Sequence, residues 1–476
     1  MTASRPANEA PALRVVALDL LREALAGETA WIVGGALRDS LRGAGEPTDL
    51  DVVVAGEVEG SARRLAAKGQ AHAFALSSEF GAWRVVARSG SWHVDLNPLR
   101  ADTIEDDLAL RDFTVNAIAQ PLAGGELIDP LGGFADLASG TLRLAGASSL
   151  EVDPLRSLRL VRLACELGLT PDAGAERAAR AAAPRLAEIA AERIYAELQR
   201  IIASEQAVAG VRMLVALQLS RTILPELDAL QGVHQSRFHH LDVYEHTLAV
   251  LSETIALEER PAAVLGDEHA QAIRALLAEP LGDELDRRVA LRFGALLHDI
   301  AKPATRTELG GGRIGFPDHD QLGARSARAI LGRLRASERM RSHVAMLVRH
   351  HLRLGFLVER APLSRDELYC YLSACGPVAA DVTLLSAADR LATRGARSAE
   401  MIEAHIALAR QVIGEALRWH ADGPPRAPLR GDELAAALGI VPGPLLGRLL
   451  AAVTRASFNG EVATRAQAVA YARRQM

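Results

Sequence analysis

Apolar and polar residues alternate along this chain with two different periods, and the change from one to the other divides it. Leu13, Val16, Leu20 and Leu21 recur at helical spacing over 13–29. A strand is expected at about 30–34, a helix after Gly35, a second strand at about 48–54 and a helix near 57–69. The runs Trp83–Ala87 and Trp92–Leu96, separated by Ser89-Gly90-Ser91, read as a hairpin. A helical stretch over about 104–120 follows, then the glycine-bounded piece GGELIDPLGGFADL. Strands mixed with helices make the segment 13–148 a mixed α/β domain. Beyond about 150 the period-2 signal vanishes. Helical periodicity runs through 149–235, punctuated by Pro171, Pro184 and Pro225, and through 236–400, interrupted by GGGRIGFPDHD. The stretch ADGPPRAPLRG reads as a linker within a last helical segment, 401–476. The fold class expected is α+β, a mixed sheet with helices followed by helical domains.

At 476 residues the chain has room for roughly three or four domains of ~100–200 residues. The first dozen residues lack the apolar centre of a signal peptide and are expected to be disordered. No apolar run reaches ~18 residues, so no membrane span is expected. Cys165, Cys370 and Cys375 are too few and too scattered for a disulfide framework, which points to a reducing, cytoplasmic location. A net charge of −5 excludes a globally basic nucleic-acid binder, so RNA would have to meet local patches. Lys68 and Lys302 are the only lysines among 54 basic residues. Such an arginine bias suits phosphate contacts, but a GC-rich genome gives the same bias.

The densest chemistry lies in WIVGGALRDSLRGAGEPTDLDVV, from Trp31 onward. In a strand Asp49 and Asp51 point the same way. Two carboxylates on one face repel unless a cation sits between them, and Mg²⁺, with its preference for oxygen ligands, suits the place. Gly34 and Gly35 precede a helix carrying Arg38 and Asp39, whose free N–H groups suit a phosphate. An ordinary strand–turn–helix with a solvated acidic end would show the same pattern. Asp95, on the second hairpin strand, is either solvent-facing or a third member of the carboxylate cluster. In Leu110-Arg111-Asp112-Phe113-Thr114-Val115-Asn116-Ala117, Asp112 or Thr114 could cap a helix. Alternatively, Arg111 meets phosphate while Asp112 or Asn116 meets a ribose hydroxyl. Asp153 is a candidate N-cap with Pro154 at the first helical position, and Arg156 lies on a neighbouring side of that turn.

In order, Gly34-Gly35-x-x-Arg38-Asp39, Asp49-x-Asp51, Arg111-Asp112-Phe113-Thr114-x-Asn116-Ala117, Ile128-Asp129-Pro130-Leu131-Gly132-Gly133 and Asp153-x-x-Arg156 resemble the head and neck of the bacterial tRNA nucleotidyltransferase and poly(A) polymerase family. Glu192-Arg193-Ile194-x-x-Glu197-Leu198 resembles the same neck. The likeness covers about 30–235. It implies a polymerase-β-like head over 13–148 and a neck over 149–235 that binds nucleobase and RNA. Asp49 and Asp51 would hold Mg²⁺ and act with Asp95. Gly34, Gly35 and Arg38 would lie near the triphosphate, and Arg111, Asp112 and Asn116 near phosphate and ribose. Asp153 and Arg156 would select the base of CTP or ATP, and the acceptor would be the tRNA 3′ end. Two positions depart from the pattern: Leu110 replaces a basic residue and Val152 an acid, with Glu151 adjacent. A third departure is the short connection ADTIEDDLAL between Arg100 and Arg111, where full CCA-adding members carry a longer loop. The short form looks like the CC-adding specialists; a CCA- or A-adding role is the alternative. Poly(A) polymerase is a further rival, although such enzymes often carry a basic C-terminal tail and this chain ends without one.

A second constellation runs from His239-His240-Leu-Asp242 through His246, His298-Asp299, Lys302, His319 and His350-His351 to Asp389-Arg390. It resembles the HD phosphohydrolase superfamily, which makes 236–400 an HD domain with His246, His298, Asp299 and Asp389 at the four ligand positions. Lys302, His319 and His350 would complete the site. Histidine with carboxylate suits Mn²⁺, Ni²⁺, Co²⁺ or Fe²⁺, and a metal-activated water could cleave phosphoesters. The resemblance implies action on 2′,3′-cyclic phosphate or 2′-phosphate at RNA ends. An HD fold kept only for RNA binding is the alternative. The segment from Leu429 to Pro444 resembles the terminal helical module of such enzymes.

Overall fold

A computed structural model describes residues 16–43, 47, 49–77, 80–235, 241–310, 313–393 and 398–476. The expected loose start at 1–12 and the pair His239-His240 lie outside them. The chain packs as two compact units. One runs to Ile189 and takes in Ala216–Thr222; the other joins Ala190–Val215 to Ile223–Met476.

The first unit is built on a six-stranded sheet. Along the chain come α1 (Val16–Ala24), β1 (Ala30–Val33), α2 (Gly35–Leu41), β2 (Asp49–Val54), α3 (Val58–Gly69), β3 (Ala71–Ser77), β4 (Ala82–Ala87), β5 (His93–Pro98), α4 (Ile104–Ala109) and β6 (Ala119–Pro121). The sheet order is β3-β4-β5-β2-β1-β6. Only β2 and β5 pair in parallel; the other neighbours are antiparallel. Alternation along β2 sorts its side chains between two cores. Leu50, Val52 and Val54 enter the cluster shared with Leu21 of α1, Leu25 just after it and Leu65 of α3. Val53 belongs to the opposite cluster, with Val33, Ile104 and Leu108. Asp49 and Asp51, with the parity of Val53, therefore share the face that α4 partly covers.

Two expectations for this unit change. The helix over 104–120 stops at Ala109, and the rest becomes a single 3₁₀ turn, Thr114–Asn116, and the edge strand β6. Partners more than eight residues further along draw the backbone out of the helix. Thr114 N donates to Arg143 O (2.9 Å), Ala145 N to Asp112 O (3.1 Å), and Ala119 and Ile128 exchange both bonds (2.9 Å each). The strand β3 was not expected, because alanines at alternate positions of AHAFALS blur the period-2 contrast. The hairpin Ala82–Pro98 turns through Gly90 at φ +71°, as its sequence indicates.

The second unit is mostly helical. Its main helices are Val243–Glu259, Arg287–Leu297, His319–Arg333, Glu338–His350, Ala379–Ala392 and Ser398–Asp422. Two short strand pairs interrupt them. One of these, Thr307–Glu308 with Ile314–Gly315, is the glycine-rich break seen in the sequence. The last three helices, Gly431–Leu438, Pro444–Phe458 and Arg465–Arg474, share a small core around Leu434, Leu449 and Val453. Among the described residues one stretch, Arg365–Ala392, meets the length and composition of a membrane span. A 3₁₀ turn at Gly376–Val378 breaks it, and 67% of its apolar window is buried in the bundle.

Candidate active sites

At the start of β2 the chain brings acid, base and glycine together. Parallel register sets Asp49 beside His93 and Asp51 beside Asp95. His93 Nδ1 lies 3.0 Å from Asp49 Oδ1. Gly34 sits at φ +77°, and a Cβ there would stand 2.7 Å from Asp51 Oδ2. Only glycine accepts that conformation cheaply and leaves the carboxylate room. Burial pushes the Asp51 carboxyl up; Arg111 opposes this, while Asp95 and Asp49 add to it. Asp95 differs, because Arg84, opposite it on β4, clasps both of its oxygens at 2.6 and 2.7 Å.

Around this face runs a chain of polar contacts. Arg38, buried in α2, donates to both Asp39 oxygens at 2.8 Å and to Asn116 Oδ1 at 2.7 Å. Asn116 in turn donates to Asp112 (3.0 Å), and so does Arg159 (2.9 Å). Burial opposes ionisation of Asp112, yet Arg159, Asn116 and the Phe113 N–H together bring its carboxyl below the usual range. Arg111 is partly buried beneath Asp107, whose carboxylate is fully enclosed and also takes two bonds from Arg100 at 3.1 Å. Burial lowers the Arg111 guanidinium, offset by Asp107 and Asp51. Arg156 donates to Ser149 Oγ (2.8 Å) and to the carbonyls of Leu110 and Arg111 (3.1 Å each), tying its helix to the loop that carries Arg111. The Asp153 carboxylate accepts from Leu155 N at 3.1 Å, and the helix opens at Arg156 instead of Pro154.

Asp107, Arg84, His93 and Arg159 escaped the sequence reading. Asp107 sits in an acid-rich run that looks solvated, although its spacing of four from Arg111 was a usable signal. Arg159 lies one turn beyond Arg156.

The second unit gathers its own cluster from six helices or helix ends. Asp299 is central. Lys302 Nζ lies 2.6 Å from it, His298 Nε2 3.1 Å, His319 Nε2 3.3 Å, His246 Nε2 3.7 Å and His351 Nε2 3.8 Å. His246 also lies 3.0 Å from Asp389. The Nδ1 atoms of His298, His319 and His351 face the carbonyls of Ala295, Phe316 and Val348 at 2.7–2.8 Å. A carbonyl accepts only, so each Nδ1 carries the proton and each Nε2 presents a lone pair inward. Those three buried Nε2 atoms make no hydrogen bond. Nitrogen lone pairs aimed at one carboxylate, without hydrogen bonds, form a donor set that fits a divalent metal ion. Of the pair His350-His351, only the second enters the cluster. His350 accepts from Arg353 Nε at 3.3 Å, since adjacent helical residues diverge by about 100°. A cavity of about 690 Å³ opens on the cluster, lined also by Phe316, Phe356, Arg390 and Gln235, whose side-chain oxygen accepts from Lys302 at 2.6 Å.

Residues 30–143 match the model of the poly(A) polymerase head domain, 168–231 that of a probable RNA and SrmB binding site of polymerase A, and 243–394 that of the HD domain. An A-adding tRNA nucleotidyltransferase of Deinococcus radiodurans is 36% identical, covering 94% of this chain and 95% of its own length. The chain belongs to the tRNA nucleotidyltransferase family. A CC-adding tRNA nucleotidyltransferase of Thermus thermophilus, another relative of this nucleotidyltransferase, is 35% identical over 93% of this chain and 92% of its own. Among solved structures the fold matches the Thermotoga maritima CCA-adding enzyme complexed with tRNA, with a TM-score of 0.58 at 17% identity, covering 96% and 95% of the two chains. Head and HD domains of these kinds generally use divalent metals.

Proposed function

We propose that the head adds C or A, taken from CTP or ATP, to the 3′ end of tRNA without a nucleic-acid template. The observation that carries this is the shared face of Asp49 and Asp51 at the start of β2, opened by Gly34 and flanked by Arg111. Asp49 and Asp51 would hold Mg²⁺, for which oxygen donors are suited. Bound there, divalent ions lower the pKa of an attacking hydroxyl and balance charge on the departing pyrophosphate. Arg38 and Arg111 would face the triphosphate, Asp112 and Asn116 the ribose, and Asp153 with Arg156 the base. Asp95, already clasped by Arg84, would act by positioning Asp51's strand. A chain with only three cysteines, Cys165, Cys370 and Cys375, too few for a disulfide framework, supports a reducing cytoplasm as the setting.

The choice of nucleotide is read by extension of three substrates: tRNA lacking 3′-CCA, tRNA ending in C, and tRNA ending in CC, each with CTP or ATP alone. Growth by one or two C, or by one A on the CC end, is the expected result. CTP-only growth would mark a CC-adding enzyme and ATP growth on tRNA-CC would exclude that. A long A tail would point to poly(A) polymerase, and no growth on any substrate would overturn the proposal.

The second cluster supports a further reading, hydrolysis of 2′,3′-cyclic phosphate or 2′-phosphate at RNA ends. Three bare Nε2 atoms around Asp299 favour it. His246, His298, Asp299 and Asp389 would bind Mn²⁺, Ni²⁺, Co²⁺ or Fe²⁺, and Lys302 would face the phosphate. In the cyclic ester one P–O bond breaks as water oxygen bonds to phosphorus, and the proton goes to the released ribose oxygen. Chelated protein resupplied with Mn²⁺, Ni²⁺ or Co²⁺ is expected to hydrolyse cytidine 2′,3′-cyclic phosphate, with about a hundredfold loss or more in His298→Ala. Wild type without metal-dependent turnover would end this reading.

A further inference from the structure

Beside the cavity of the histidine–aspartate cluster lies a second one of about 460 Å³, and Leu352 and Phe356 line both. Its wall carries Arg349, Arg353, Arg360 and Arg455. Two of these are committed, Arg349 to Asp320 and Arg455 to Asp366. Arg360 touches Glu367 only at 3.7 Å, and Glu367 is itself taken up by Ser364 in a helix cap. Arg353 has no carboxylate partner among the described residues; its side chain donates to the ring of His350. Between the two cavities stands Phe356, 75% exposed, on the 3₁₀ turn Gly355–Arg360. An exposed aromatic face next to a guanidinium group without a carboxylate partner, that of Arg353, is the pairing that holds single-stranded nucleic acid, by base stacking and by charge-assisted bonds to phosphate.

We propose that this arginine-lined cavity holds the backbone phosphate preceding an RNA end seated in the cluster's own cavity, with the adjoining base stacked on Phe356. The proposal rests on the phosphoester reading of the cluster. It makes that site selective for an RNA end over a free mononucleotide, and assigns Arg353 and Phe356 as specificity residues.

Hydrolysis by the full chain with Mn²⁺ compares cytidine 2′,3′-cyclic phosphate with a trinucleotide ending in the same group. A kcat/KM for the trinucleotide about tenfold higher, carried by KM, is expected. Arg353→Ala should shrink that ratio about tenfold, and Arg353→Lys should recover part of it. Equal kcat/KM for both substrates in wild type, or a ratio indifferent to Arg353→Ala, overturns the proposal. Photo-cross-linking with 4-thiouridine at the penultimate position separates the two readings, because it needs no turnover. Cross-links within 352–360 without hydrolysis would sink the phosphoesterase reading and keep the RNA subsite; cross-links confined to other segments would sink the subsite.

Discussion

Asp51→Ala is expected to lower nucleotide incorporation about a thousandfold while the far-ultraviolet circular dichroism of the protein stays unchanged. The side chain shares its face with Asp49 and Asp95, and burial already pushes its carboxyl up. Losing a divalent ion's hold on the reacting phosphate costs several kcal/mol, and ~4 kcal/mol is about a factor of a thousand in rate. Asp49→Ala should do the same. Asp95→Asn should be milder, since Arg84 rather than an open position occupies both oxygens of Asp95. Single-turnover incorporation with saturating CTP or ATP measures all three. A loss smaller than tenfold in Asp51→Ala would remove this face from the chemistry.

The second large effect is on stability. Arg292→Ala should destabilise the helical unit by about 3–5 kcal/mol, the cost of breaking a buried ion pair from one side. Arg292 is 2% exposed. It binds Glu258 at 2.7–3.2 Å and donates to the carbonyls of Ile202, Ala203 and Ser204 at 2.8–3.0 Å, closing the end of the helix Ala191–Ala203. Its removal strands a buried carboxylate together with three carbonyls. Burial raises Glu258 above its ordinary 4.5, against the pull of Arg292. Without the arginine that rise grows. A carboxyl whose folded pKa is raised contributes stability that is present at low pH and lost as pH climbs through the folded value. The deficit of Arg292→Ala should therefore be largest near pH 7 and shrink toward pH 4.5. Urea titrations at several pH values test this, and a pH-independent deficit under 1 kcal/mol would refute it. Replacing both partners, Glu258→Leu with Arg292→Met, should recover most of the loss.

Much of the head site could be read directly because strand parity is a local rule. Positions 49 and 51 share a face whatever else the chain does, and Gly34 announces a backbone that other residues avoid. The helix over 104–120 failed for the opposite reason: its competitors for hydrogen bonding, Ile128 and Arg143, lie elsewhere in the chain. Asp107 looked like one of several solvated acids until Ile104 and Leu108 buried the turn that carries it. Arg84 faces Asp95 only through the register of a hairpin. In the second cluster the residue types were apparent, but His351 rather than His350 turns inward because packing sets the rotation of each helix.

By itself, then, the sequence determined the change from a strand-bearing first domain to helical ones, the parity that pairs Asp49 with Asp51, and the presence of histidine–aspartate chemistry in a helical region. Those follow from periods and spacings within a few residues. The tertiary structure decided which acids are open and which are already held: Asp95 by Arg84, Asp112 by Arg159 and Asn116, Asp107 by Arg100. It also aimed three bare histidine nitrogens at Asp299 and set an arginine-lined cavity beside them. Charges find their partners across long chain separations, so only packing in three dimensions selects the ones left over for a metal, a nucleotide or an RNA end.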